Sequence, residues 1–112
     1  MTNPEIAIVG AGYVGLPLGR VFAEAGARVL LLDVSAERVK AINRGESYVE
    51  DVPDEVLGKL VQAGTLSATT DYDVVRETDA IIIALPCTPA IRQILRKLWK
   101  LTSYLLRQHL LR

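Results

Sequence analysis

The sequence predicts an α/β protein built on one short parallel sheet. Three observations carry this: four short apolar runs, segments of helical period between them, and glycine or an acid where the runs stop. Runs apolar at every position, such as Ile6-Ala7-Ile8-Val9, suit strands buried on both faces. Strands that alternate with helices imply right-handed crossovers and hence parallel pairing. At 112 residues the chain has room for one small domain. Half of its residues are apolar, enough to remove about two thirds of the unfolded surface from water.

The first strand, Ile6 to Val9, is stopped by Gly10. Val14, Leu18, Val21, Phe22 and Ala25 recur at helical spacing from Tyr13 to Ala25, and Gly26 ends that helix. Arg28 to Asp33 holds Val29-Leu30-Leu31-Leu32, a second buried strand that ends in an acid. Ser35 can cap a helix whose apolar positions include Val39 and Ile42, and Gly45 closes it. Glu46 to Val52 reads as loop. Pro53 suits a helix start, with Val56, Leu57, Leu60 and Val61 leading to Gly64. Leu66 to Thr70 is a third strand, Asp71 to Thr78 a brief helix, and Ala80 to Leu85 the most apolar strand.

Residues 90–112 differ in character. Ile91, Ile94, Leu95, Leu98, Leu101, Leu105 and Leu106 share one side of a helical wheel, with Arg96, Lys100, Ser103 and Arg107 opposite. Such an amphipathic helix can cover a sheet face, lie on a membrane surface or dock into a partner, or stay unpacked. The charge distribution breaks nearby. Thirteen acids and thirteen bases give zero net charge, but residues 1–79 hold all thirteen acids with seven bases, and residues 80–112 hold six bases and no acid. The zero sum argues against a nucleic-acid binder. A lone cysteine, Cys87, leaves no internal disulfide and points to a reducing compartment. The amino terminus lacks the basic region of a signal peptide, and no stretch is long enough to span a bilayer. The cytoplasm is the expected location.

Gly10-Ala11-Gly12-Tyr13-Val14-Gly15 fits G-x-G-x-x-G, a pattern whose weight comes from context: a strand before, a helix after, an acid at the end of the next strand. Gly10 permits the tight turn, Gly12 leaves room for a pyrophosphate against the backbone, and Gly15 lets helix and strand pack closely. The helix amino terminus offers unpaired N–H groups to the phosphates. Asp33, eighteen positions past Gly15, can accept hydrogen bonds from an adenosine ribose and repel a 2′-phosphate, which selects NAD over NADP. The motif thus predicts a partial Rossmann fold. Arg38 is placed to reach that ribose or to sit solvated on its helix. Thr88 follows the fourth strand, where such sheets bind ligands, or is a plain loop residue. Cys87 lacks a nearby activating base, and the sole histidine, His109, lies in the tail. No cluster of metal-ligand residues is seen.

Residues Ile6 to Leu18, with Gly12-Tyr13-Val14-Gly15-Leu16-Pro17 at their centre, resemble the opening of the UDP-glucose/GDP-mannose dehydrogenase family, the nucleotide-sugar 6-dehydrogenases. Asn43-Arg44-Gly45-Glu46-Ser47, Ala68-Thr69-Thr70-Asp71 and Asp79 to Pro86 extend the likeness, and Ser47 to Pro53 resembles the branch acting on UDP-N-acetylhexosamines. The resemblance covers about residues 5–89. It implies strand order 3-2-1-4 and NAD-dependent two-step oxidation of a sugar C6 alcohol to a carboxylate, serving polysaccharide synthesis. It places Tyr13 and Val14 on the cofactor diphosphate, Asp33 and Arg38 on the adenosine ribose, and Thr88 in the family's Pro-Thr-Pro turn.

Two departures stand out. Cys87 interrupts that turn as Pro86-Cys87-Thr88-Pro89, and Ala90 to Arg112 carries no family likeness. The resemblance puts the catalytic cysteine, lysine and asparagine beyond this chain. The expectation is therefore an incomplete NAD-binding domain over 1–89 with a basic helical tail over 90–112, the tail read from a truncated or shifted frame. It would bind NAD, engage a UDP-sugar only when a catalytic half is supplied, and self-associate through its open strand edge or apolar tail. A stand-alone NAD-sensing or partner-binding module, or a product without function, fits the same residues.

Overall fold

The computed structural model describes residues 3–85, 96–101 and 103–104. Four strands, β1 (Glu5–Val9), β2 (Arg28–Leu32), β3 (Leu66–Thr69) and β4 (Ala80–Ile83), form one parallel sheet in the order β3-β2-β1-β4. Three helices connect them: α1 (Gly15–Glu24), α2 (Ala36–Asn43) and α3 (Asp54–Gln62). The order and the helices on both faces match the expected partial Rossmann architecture.

Alternation along the strands assigns each side chain to a face. Ile6 pairs with Val29 and Val29 with Leu66. Ile8, Val29, Leu31, Leu66 and Ala68 meet Leu16, Ala23, Val39, Ile42 and Leu57 of the three α-helices. Ala7, Val9 and Leu32 point to the other face, against Tyr72, Val75, Leu98 and Leu101. Residues 96–101 are helical, so the apolar stripe of the tail covers a sheet face at Leu98 and Leu101. Cation–π contacts flank this packing: Arg76 lies 5.2 Å from the Tyr104 ring centroid and Lys97 6.0 Å from that of Tyr72.

Local chemistry fixes the connections. The Ser35 hydroxyl accepts the Arg38 N–H at 3.2 Å, capping α2 as its sequence implies. The segment 46–52 is loop, yet Val49 and Val52 are buried in the helix-covered core, so it is held in place. Tyr72–Glu77 is a 3₁₀ helix, a tighter form than an α-helix. It is only six residues long, and Asp71 Oδ1 accepts the Asp73 N–H at 3.0 Å while the Thr78 N–H closes on Val75 O at 3.2 Å. Such i to i+3 closure suits short pieces. β4 ends two residues earlier than its apolar run: the Ala84 N–H still bonds Val9 O at 2.8 Å, after which the chain turns toward a cavity.

The edge strand β3 is partly closed by a side chain. Asn43, at the end of α2, donates Nδ2 to Ala68 O at 2.9 Å and accepts the Ala68 N–H at 3.0 Å. Among the described residues no strand lies beyond β4.

Candidate functional site

The carboxyl ends of three strands open onto one cavity. Gly10 leaves β1, Asp33 follows β2, and Ala84 and Leu85 follow β4. With Gly12, Tyr13, Val14 and Arg38 they line a space of about 380 Å³. The chain leaves β1 toward β2 on one side while β4 lies on the other, and open α/β sheets form their binding crevice at such a switch point.

The three motif glycines are not equivalent. Gly10 holds φ at 104°, a conformation essentially reserved for glycine, and a Cβ there would stand 2.7 Å from the Ala84 carbonyl oxygen. A Cβ on Gly15 would overlap the Gly10 carbonyl oxygen. Gly15 therefore belongs to the packing behind the cavity. Around Gly12 the fold leaves space: its Cβ would meet only Arg38 Nη1, at 3.7 Å, among the described residues. Glycine is not demanded there by the chain itself, so the open side is available to a ligand.

At the same opening α1 begins with no side-chain cap and no acid in its first turn. The Leu16 N–H is taken by Gly12 O at 3.1 Å and Pro17 has no N–H, so the Gly15 N–H and the positive end of the dipole are what this turn offers an anion. Tyr13 and Val14 line the mouth and are exposed.

Asp33 is a buried acid, only 7% exposed. Its Oδ2 accepts the Ala11 N–H at 3.1 Å and its Oδ1 the Ser35 N–H at 2.9 Å. Arg38 Nη1 stands 3.5 Å from Oδ2. These partners offset the cost of burying the charge. Arg38 in turn lies over the Tyr48 ring, 5.4 Å from its centroid, and the Tyr48 hydroxyl donates to the Ala11 carbonyl. Burial pushes the Tyr48 hydroxyl up to about 12; Arg38 opposes the rise and Asp33 adds to it.

Gly10, Gly12, Tyr13, Val14, Asp33 and Arg38 thus come together at one cavity, and Gly15 supports it from behind. Thr88 lies outside the described residues, as do Cys87 and His109. Sequence reasoning did not single out Tyr48, Ala84 or Leu85 as site residues. For Tyr48 the available signal was one aromatic ring in the polar stretch Glu46-Ser47-Tyr48-Val49-Glu50-Asp51. Among the described residues no three His, Cys, Asp or Glu side chains gather as metal ligands.

A family model described as the UDP-glucose/GDP-mannose dehydrogenase family, NAD binding domain, matches residues 4–102. The chain belongs to that family. Its cofactor is NAD. The match runs past residue 89, where the residue-by-residue likeness stops. The chain is similar to a UDP-glucose 6-dehydrogenase of Haloferax volcanii, 37% identical over 86 residues, which cover 77% of this chain and 20% of that protein. It is also similar to a UDP-N-acetyl-D-mannosamine dehydrogenase of Yersinia pestis, 38% identical over 87 residues, with 77% and 20% covered.

Solved structures agree. An NDP-N-acetyl-D-galactosaminuronic acid dehydrogenase from Methanosarcina mazei Go1 superposes with a TM-score of 0.67 at 33% identity, over 75% of this chain and 20% of the other. A ternary complex of a GDP-mannose dehydrogenase from Pseudomonas aeruginosa gives 0.74 at 26% identity, over 93% and 26%. This NAD-binding domain spans about a fifth of the length of the curated relatives it matches. Its residues fit a dinucleotide: an open glycine, an uncapped helix start and a buried acid lie around one cavity.

Proposed function

We propose that this chain is the NAD-binding portion of a nucleotide-sugar 6-dehydrogenase that acts on a UDP-N-acetylhexosamine and serves polysaccharide synthesis. Turnover then needs a catalytic half that residues 1–112 do not supply. The observation that carries the reading is the open side of Gly12, set between the uncapped start of α1 and the buried Asp33 carboxylate. When bound, NAD would supply the hydride acceptor, one NAD for each of the two oxidations that take a sugar C6 alcohol, with one water, to a carboxylate. The residues of this chain bind and orient. The Gly12 backbone with Tyr13 and Val14 receives the diphosphate, and Asp33 and Arg38 receive the adenosine ribose. Thr88 is assigned to the cofactor site on the resemblance of its turn. Similarity to UDP-N-acetyl-D-mannosamine dehydrogenases supports the substrate class.

We assign the motif-bearing part of the NAD-binding domain to residues 1–89 and the basic helical tail to 90–112, a tail that packs on the sheet at Leu98 and Leu101 and lies within the family match as far as residue 102. No described helix is long and apolar enough to cross a membrane; the single cysteine supports a place in the cytoplasm. Among the described residues no strand pairs with the outer side of β4, which supports self-association.

Isothermal titration of the chain with NAD, together with an NADH absorbance assay on UDP-N-acetylhexosamines, tests the proposal. Binding without turnover is expected. No binding refutes the cofactor site, and turnover by the chain alone refutes the need for a second half.

A further inference from the structure

We propose that Tyr48 is a positioning residue for the cofactor loop: its hydroxyl sets the Ala11–Gly12 peptide and its ring holds Arg38 against Asp33. The inference rests on the NAD-binding reading above and assigns a role to a residue outside the glycine motif.

The Ala11 residue is fully buried, and both of its backbone polar groups are taken by side chains from distant parts of the chain. Asp33 Oδ2 accepts its N–H at 3.1 Å, and the Tyr48 hydroxyl donates to its carbonyl. A trans peptide is planar, with C=O and N–H pointing in opposite directions. Fixing the Ala11 carbonyl therefore fixes the direction of the Gly12 N–H, on the residue whose open side lines the cavity. Without the hydroxyl, a buried carbonyl loses its partner and the peptide can rotate.

The ring does a second job. Arg38 is parked over it at 5.4 Å and beside Asp33 at 3.5 Å. A guanidinium so placed is held by a cation–π contact and an ion pair, and is not free to close on a 2′-phosphate. Tyr48 can do both jobs because its loop is anchored: Val49 and Val52 are buried beside it. Ser47 N–H bonds Asp54 Oδ1 at 2.7 Å, tying the loop to the start of α3. Burial keeps the hydroxyl protonated, with its pKa up at about 12, so it remains a donor across the working pH range.

Two variants separate the jobs. Tyr48→Phe removes the hydroxyl and keeps the ring. It should weaken NAD and NADP alike by about tenfold, leave adenosine binding unchanged, and shift the Gly12 amide resonance in the ligand-free chain. Tyr48→Leu removes both, and should in addition narrow the preference for NAD over NADP by about fivefold. The double variant Tyr48→Leu/Arg38→Met should show no narrowing, because the freed guanidinium is gone. Titration calorimetry with NAD, NADP and adenosine, and amide NMR spectra, read these outcomes. A merely structural role would lower melting temperature while leaving the NAD to NADP ratio and the Gly12 amide resonance unmoved, and that result overturns the proposal. If Tyr48→Phe fails to fold, the ratio in Tyr48→Leu against the double variant decides the matter alone. Wild-type chain that does not bind NAD overturns both this inference and the function on which it rests. Binding by wild type with unchanged variants overturns this inference only.

Discussion

Replacing Gly12 and Gly15 with alanine, one at a time, should separate a glycine kept for a ligand from one kept for the fold. At Gly12 the new methyl meets only Arg38 Nη1, at 3.7 Å, an ordinary van der Waals distance to the end of a flexible side chain. Its φ is not among the positive values, so alanine fits the backbone. Loss of glycine also reduces the freedom of the unfolded chain, which stabilises by about 0.4–1 kcal/mol. In a domain of this size that raises the melting temperature by up to about 8 °C. The same methyl occupies the side through which the diphosphate must approach. NAD affinity should therefore fall about tenfold to a hundredfold for Gly12→Ala, and vanish for Gly12→Val. At Gly15 the methyl overlaps the Gly10 carbonyl oxygen, and relief requires moving either β1 or α1. Overpacking of that kind costs about 3 kcal/mol or more, enough to lower the melting temperature by about 10 °C or beyond. Thermal melts and NAD titrations on both variants give four numbers. If Gly12→Ala melts as early as Gly15→Ala, or binds NAD as well as wild type, the assignment of these two glycines is wrong.

Asp33→Ala should weaken NAD and narrow its advantage over NADP, since it removes the charge opposing a 2′-phosphate and releases Arg38 from its ion pair; paired titrations check this, and an unchanged ratio refutes it. Leu98→Ala should cost about 2–4 kcal/mol in urea unfolding, because Leu98 is 4% exposed in the second core. Trp99→Ala, at a position 70% exposed, should stay within about 0.5 kcal/mol; equal losses would show that the tail does not cover the sheet. The Tyr72 hydroxyl is buried with no partner among the described residues, so Tyr72→Phe should be neutral or stabilise by about 1 kcal/mol, and a clear loss of stability would reveal a partner. Sedimentation across micromolar concentrations should show reversible self-association, and a monomer throughout would show that the β4 edge is protected.

The sheet was legible because its central strands are buried on both faces toward their carboxyl ends, at Ile8 and Val9 of β1 and Leu31 and Leu32 of β2, and such burial leaves continuous apolar runs. β4, the most apolar run, is only half-buried at the sheet edge. The glycine loop and Asp33 were legible because a mononucleotide fold demands fixed spacing there. Three features were not. The 3₁₀ form of Tyr72–Glu77 depends on local closures at Asp71 and Thr78 that periodicity cannot register. The role of Asp33 in holding the loop through the Ala11 N–H hides behind the same residue's expected contact with a ribose. Tyr48 meets Ala11 across 37 positions from a stretch with no period at all. Such long-range polar contacts leave no pattern in a single sequence.

The side chain of Asn43 has a consequence for how copies of this sheet can add to one another. By pairing with both backbone groups of Ala68, it stands in for part of a neighbouring strand and blunts β3. The opposite side, at β4, carries Ala80-Ile81-Ile82-Ile83 and no charge. Growth of a sheet into a fibre needs two receptive sides on every subunit, and among the described residues only the β4 side is without such a stand-in. Two copies joined β4 to β4 about a twofold axis would leave an asparagine-blunted strand facing outward at each end. Propagation would then terminate at a stoichiometry of two, a closed assembly in place of an open one.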